Sequence, residues 1–221
     1  MLIGANYPKI ELDVFGLTIL EPMAIVTNFI MAGCSWWIFN QLRKNQTPSL
    51  FEYRWKLFFL FYGIAGFTSA FSHGLFLYWG WPSKIPAWGF GVIAVFIVEQ
   101  AMITQFQPSA KKQFLIGFSL VKALAVLALA FSLLNFLPVA INSIVGLIFF
   151  LAIPSAYYQK HKNAGFAWFW KGIVFLLPSA IFFLGKINPH LWLNKDDISH
   201  LLMAGSLFFF YKGVVAVREN Q

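Results

Sequence analysis

Glu21, Ser69, His73, Asp196, Asp197 and His200 are the residues of this 221-residue chain whose types and spacing could do chemistry. Each lies in a long apolar stretch or at its edge, where an ionisable group is costly to bury and marks a functional site by default. Ser69 and His73 are four apart, so both share one helix face. Asp196 and His200 have the same relation, and Asp197, three from His200, can stand in for Asp196. Two imidazoles and a carboxylate make a catalytic zinc shell with water as the fourth ligand. Zinc would bring the pKa of that water toward neutrality and polarise a scissile carbonyl. His73, His200 and Asp196 are therefore the expected metal ligands, with Glu21 and Asp197 as orienting or proton-transfer groups. Capping of the last helix competes for Asp197, because an acid suits the positive end of a helix dipole. Hydrogen bonding to a neighbouring helix is the competing role for either histidine.

The elements that must position these groups follow from composition. The chain is 59% hydrophobic and 11% charged, with a mean hydropathy of +0.70, against roughly 25% charged residues in a soluble domain. Seven apolar runs, at residues 15–41, 52–80, 86–107, 112–134, 138–158, 164–185 and 196–217, are long enough to cross a bilayer as helices. The expected fold is all-α, a polytopic seven-transmembrane helix bundle forming a single domain over 1–221. A transmembrane barrel would show short alternating segments instead. Pro22, Pro154 and Pro178 fall inside these runs and are expected to kink them. Counting about 1.5 Å per residue puts Glu21, His73 and the Asp196–His200 turn at one level, within about 10 Å of one membrane face.

Charge sets the orientation. Ten basic residues (Arg43, Lys44, Arg54, Lys56, Lys111, Lys112, Lys160, Lys162, Lys212, Arg218) fall on one side and four (Lys9, Lys84, Lys186, Lys195) on the other. The positive-inside rule then places the amino terminus outside and the carboxyl terminus in the cytoplasm, in a plasma or bacterial inner membrane. The net charge of +8 reads as topology and contact with anionic lipid, with no nucleic-acid partner. Met1–Asp13 lacks the basic and apolar regions of a cleavable signal peptide. Cys34 is the single cysteine, so no intrachain disulfide forms and it reads as a packing residue. His190 is expected in a solvated loop and His161 on the surface. Glu99 and Lys122 fall near mid-membrane on adjacent helices and are expected to pair, as a structural device or as a proton or ion pathway. Lys212 is too near the last helix's cytoplasmic end for a retinal Schiff base. Neither an inverted repeat nor a pair of broken helices supports transport.

These motifs resemble the CREST superfamily, the seven-helix group of alkaline ceramidases and progestin/adiponectin-type receptors. Glu21-Pro22 followed by Thr27-Asn28 is similar to the first-helix pattern, Ser69-Ala70-Phe71-Ser72-His73 to the second-helix S-x-x-x-H, and Asp196-Asp197-Ile198-Ser199-His200 to the seventh-helix H-x-x-x-H. The resemblance implies one zinc on His73 and His200, with Ser69 assisting at the metal or the developing oxyanion. Glu21 would be a supporting buried acid, and Asn28 would hold the first helix by hydrogen bonding. Asp196 stands where that family has histidine, and Lys84-Ile85-Pro86-Ala87 where it has an aspartate. The expected activity is hydrolysis of a lipid amide or ester taken from the outer leaflet; calcium has no support. A non-enzymatic receptor, sensor or lipid-binding protein is the rival, and a transporter using Glu99 and Lys122 the third.

Overall fold

The computed structural model of the protein describes residues 8–219; the first seven residues of the Met1–Asp13 stretch lie outside them. The described residues open with a hairpin rather than a helix. Strands β1 (Glu11–Val14) and β2 (Leu17–Leu20) pair antiparallel, with Leu12 opposite Ile19 and Val14 opposite Leu17. Phe15 and Gly16 turn the chain with φ of 53° and 80°, the positive values a two-residue type I′ hairpin needs. The expected start of the first helix at residue 15 is thus corrected. Alternating Leu12, Val14, Leu17 and Ile19 around a tight turn pair as strands, and α1 (Pro22–Leu42) begins only at Pro22. Proline belongs at a first helical position, where its missing N–H has no partner to lose. Pro22 therefore starts α1 and does not kink it.

The remaining helices follow the apolar runs with adjusted ends. Helix α2 (Leu50–Gly74) is capped by Ser49, which accepts the Glu52 N–H at 3.3 Å. It stops six residues early, and a short α3 (Phe76–Trp79) and a 3₁₀ turn (Trp81–Lys84) lead into α4 (Ile85–Ile103). Helix α5 (Ala110–Leu133) follows. The fifth run is one rod of three pieces: α6 (Leu137–Val145), a π-helical segment (Gly146–Ala152) and α7 (Ile153–His161). The widened turn ends against Pro154, whose lack of an N–H breaks the regular ladder there. A 3₁₀ turn (Ala164–Phe166), α8 (Ala167–Leu184, with Pro178 inside it) and α9 (Lys195–Glu219) complete the chain. Among the described residues, seven helical rods are long and apolar enough to cross a membrane.

Helix α1 packs between α2 and α9, α2 also packs on α4, and α8 on α9. The core is aromatic: Trp55 of α2 is fully buried, stacks on Phe169 of α8 at 4.8 Å and touches Phe210 of α9. Gly213 permits this, since a Cβ there would stand 2.7 Å from the Phe169 ring. Glu52 ties the bundle at the end away from the hairpin, accepting from Asn45 at 2.8 Å and pairing with Arg218 at 3.3 Å. The hairpin, the end of α2 and the start of α9 meet at the opposite end, where the candidate site lies.

Candidate functional site

Glu21 joins β2 to α1 and is held by both. Its N–H donates to the Ile10 carbonyl at 2.9 Å, and its backbone takes the left-handed conformation, φ 51° and ψ 59°. A non-glycine residue held there stores about 1–3 kcal/mol of strain, which persists only where the surroundings over-determine it. The Glu21 side chain is 3% exposed. Its Oε2 accepts from the Lys9 ammonium at 3.1 Å and from His73 Nδ1 at 2.9 Å. A carboxylate oxygen can only accept, so the His73 proton sits on Nδ1 and, in the neutral ring, the lone pair on Nε2.

His200, in the second turn of α9, is ordered by α1 in the same way. Its Nδ1 lies 3.1 Å from Thr27 Oγ1, and that hydroxyl donates to the Met23 carbonyl at 2.9 Å. With its proton spent on the carbonyl, Thr27 accepts the Nδ1–H of His200. Asn28 Nδ2 stands 3.2 Å from Nδ1 and 3.5 Å from Nε2. A donor along one nitrogen's lone pair would be about 5 Å from the other, so the Asn28 amide lies over the ring face. That amide is anchored to the Ala24 carbonyl at 2.8 Å. Nδ1 of His73 is therefore tied to the residue that precedes α1 and Nδ1 of His200 to α1 itself, which leaves Nε2 of each ring for another partner, and the two rings stand edge to face with centroids 6.1 Å apart. Glu21, Lys84 and Asp196 are the charged neighbours common to both rings.

The acids of α9 are arranged differently. Asn194 precedes the helix, and its side-chain oxygen accepts the N–H groups of Asp196 at 2.8 Å and Asp197 at 3.2 Å. Asp197 Oδ2 accepts the Asn194 N–H at 2.9 Å in return. This reciprocal pattern is a capping box, so Asp197 caps the helix through Oδ2 as its position predicts. Asp196 Oδ1 takes the ammonium of buried Lys195 at 2.6 Å. Ser69 lies half-buried one turn before His73, its carbonyl accepting from the Ser72 hydroxyl.

Zinc fits this donor set in two positions. Tying Nδ1 to a carboxylate or a hydroxyl while Nε2 stays free is how a protein prepares a histidine ligand. The third position does not fit. Among the described residues no group of three His, Cys, Asp or Glu is spaced to hold a metal, so Asp196 does not complete the expected shell with His73 and His200.

The second polar set pairs as the sequence suggests. Lys122 of α5 lies 2.7 Å from Glu99 Oε1 of α4 and also donates to Asn142 of α6. Glu99 is fully buried. Its Oε2 and the Asn142 amide nitrogen have no hydrogen-bond partner among the described residues. His190 is exposed and accepts from the Trp192 N–H at 3.1 Å, and His161 is exposed.

Sequence reasoning missed Lys9 and the ring-orienting part of Thr27. Lys9 reads only as one basic residue on the sparsely charged side; the available signal was that Lys9 and Glu21 bracket a Phe-Gly turn, which a hairpin brings together. Thr27 lies four residues after Met23, the spacing at which a helical threonine hydroxyl turns back to the chain's carbonyls.

No curated protein and no solved structure matches the chain. Residues 23–219, which include Thr27, His73, Glu99 and His200, match the profile of a family of unknown function, DUF6962, and the chain belongs to that family.

Proposed function

We propose that the protein is an integral membrane hydrolase of a lipid amide or ester, similar to the CREST superfamily, with zinc held by His73 and His200. In this reading the hairpin end lies outside the cytoplasm, as the charge bias favours. The observation that carries it is the neighbouring pair of histidines from α2 and α9, with ring centroids 6.1 Å apart and with Nδ1 held by Glu21 in one and by Thr27 in the other, which leaves Nε2 of each for a ligand. Zinc, when bound, would supply a water of near-neutral pKa and a Lewis acid for the carbonyl.

The chain's own residues do the positioning. Glu21 keeps the proton on His73 Nδ1, and Lys9 balances the carboxylate's charge. Thr27 and Asn28 fix the edge and the face of the His200 ring. Ser69, on the His73 face of α2, would present its hydroxyl to the developing oxyanion. A site near one membrane face suits a substrate that approaches from the bilayer.

The test is elemental analysis of detergent-purified protein beside a folded His73→Ala, His200→Ala variant. About one zinc per chain is expected from the single donor set, lost in the variant. Lipid amides and esters then provide the turnover assay. A folded wild type that holds no metal after zinc is offered defeats the reading.

One observation favours a second reading. Asp196 is engaged by Lys195 and no three-ligand group is assembled among the described residues. This suits a receptor, sensor or lipid-binding protein that keeps the fold without turnover, and such a protein would show the variant-sensitive metal or none, and no hydrolysis.

A further inference from the structure

We propose that the β1–β2 hairpin docks into the lipid interface, its apolar face and Phe15 tip entering the bilayer beside Glu21, the residue that holds His73. The register sorts its side chains into two faces. Leu12 and Ile19 are cross-strand partners, as are Val14 and Leu17, so these four share one apolar face; Glu11, Asp13, Thr18 and the buried Leu20 stand on the other. Toward its tip such a hairpin has one side suited to lipid and one suited to water, while Leu20 anchors its stem in the fold. In a soluble protein the apolar side would be covered. Here Leu12, Val14 and Leu17 are 38%, 41% and 49% exposed, and Phe15 at the tip is fully exposed.

Phe15 adds an independent argument. It occupies a left-handed backbone position, with φ 53°, that ordinarily takes glycine or asparagine. A bulky aromatic placed there and projected clear of the fold gains nothing from the rest of the chain. Phenylalanine at the edge of a bilayer gains contact with acyl chains and headgroup stems.

The occupant is argued from what adjoins the hairpin. The stem of its apolar face rests on α2, since a Cβ on Gly74 would meet Ile19 at 3.7 Å. Thr18 donates its N–H to the Tyr78 hydroxyl at 2.9 Å. From there the apolar surface continues over Leu77, Tyr78 and Trp79, all more than half exposed, the aromatic composition of a membrane–water boundary. The hairpin stem also forms one wall of a narrow crevice, with room for about one water, lined by Lys9, Ile10, Glu21, Leu191, Trp192 and Asp197. Docking would place the mouth of that crevice at the lipid surface.

This proposal rests on the membrane reading, and the experiment separates the two. In a Cys34→Ala background, Phe15→Cys and Leu17→Cys report on the tip. Glu11→Cys reports on the polar face and Leu124→Cys on the exposed middle of α5. Each is labelled with an environment-sensitive fluorophore and reconstituted into phosphatidylcholine vesicles with and without brominated acyl chains. The expected result is quenching by brominated lipid at Phe15 and Leu17 matching that at Leu124, with Glu11 quenched by aqueous iodide alone. Iodide quenching of Phe15 and Leu17 without lipid quenching, while Leu124 is lipid-quenched, overturns the docking and leaves the membrane reading standing. Absence of lipid quenching at Leu124 overturns both.

Discussion

Replacing Lys122 by Met should destabilise the protein by about 3–4 kcal/mol at pH 7, and the size follows from what surrounds Glu99. The carboxylate is fully buried, its Oε1 held by Lys122, and its Oε2 has no hydrogen-bond partner among the described residues. Without the ammonium, the variant must bury a lone carboxylate or neutralise it. Neutralising an ordinary glutamate at pH 7 costs about 3.7 kcal/mol, from a reference pKa near 4.3 and 1.36 kcal/mol per unit. Removing one partner of a buried pair costs about 3–5 kcal/mol in general, so the two routes agree. The first also fixes a sign. The folded variant would carry a proton that its unfolded state releases above the reference pKa, so the deficit should shrink by about 1.4 kcal/mol per unit as pH falls from 7 toward 5. Glu99→Gln with Lys122→Met removes both charges and should recover most of the loss. Reversible unfolding in bicelles, followed at pH 7, 6 and 5, provides the measurement. A Lys122→Met variant within about 1 kcal/mol of wild type, or a double variant as unstable as the single one, would refute the reasoning.

Two further outcomes are expected. Asn194→Ala removes the acceptor for the Asp196 and Asp197 N–H groups and should lower stability by about 1 kcal/mol; an unchanged unfolding midpoint would deny the capping box. Thr27→Val keeps the volume but removes the acceptor of the His200 Nδ1–H, so zinc affinity measured by competition with a chelator should fall about 10–100-fold. Equal affinity in a folded Thr27→Val protein would mean that another group orients the ring.

Helices were legible in this sequence because bilayer-length apolar runs need no partner to be recognised. Their ends were not, and the reasons are local. Residues 15–20 are as apolar as a helix start, and only the Phe15–Gly16 turn and the alternation around it make them strands. Phe-Gly is a poor hairpin signal beside Asn-Gly, so the turn was hidden by the hydropathy it shares with α1. The break after Gly74 is equally quiet: Leu75 leaves the helix at φ −101° without a proline to announce it. Of the site, the nearness of His73 and His200 was visible from depth and spacing alone. The partnership of Asp196 was not, because spacing on one face says nothing about which neighbour reaches a carboxylate first. Lys195 is one residue away and buried, and it takes the oxygen that the i, i+4 relation had offered to a metal.

Nδ1 of the two histidines is held by different parts of the chain. Thr27 lies inside α1, with its hydroxyl fixed to the Met23 carbonyl, whereas Glu21 precedes the helix and is bound through its N–H to Ile10 of the hairpin stem. A displacement of the hairpin therefore acts on Glu21 and Lys9 before it reaches Thr27. It would loosen His73 while leaving His200 in register, so the two rings would respond unequally to whatever holds the hairpin. If lipid holds it, the His73 side of the site is the side that senses the membrane, and the strained backbone at Glu21 is the joint across which that contact is transmitted.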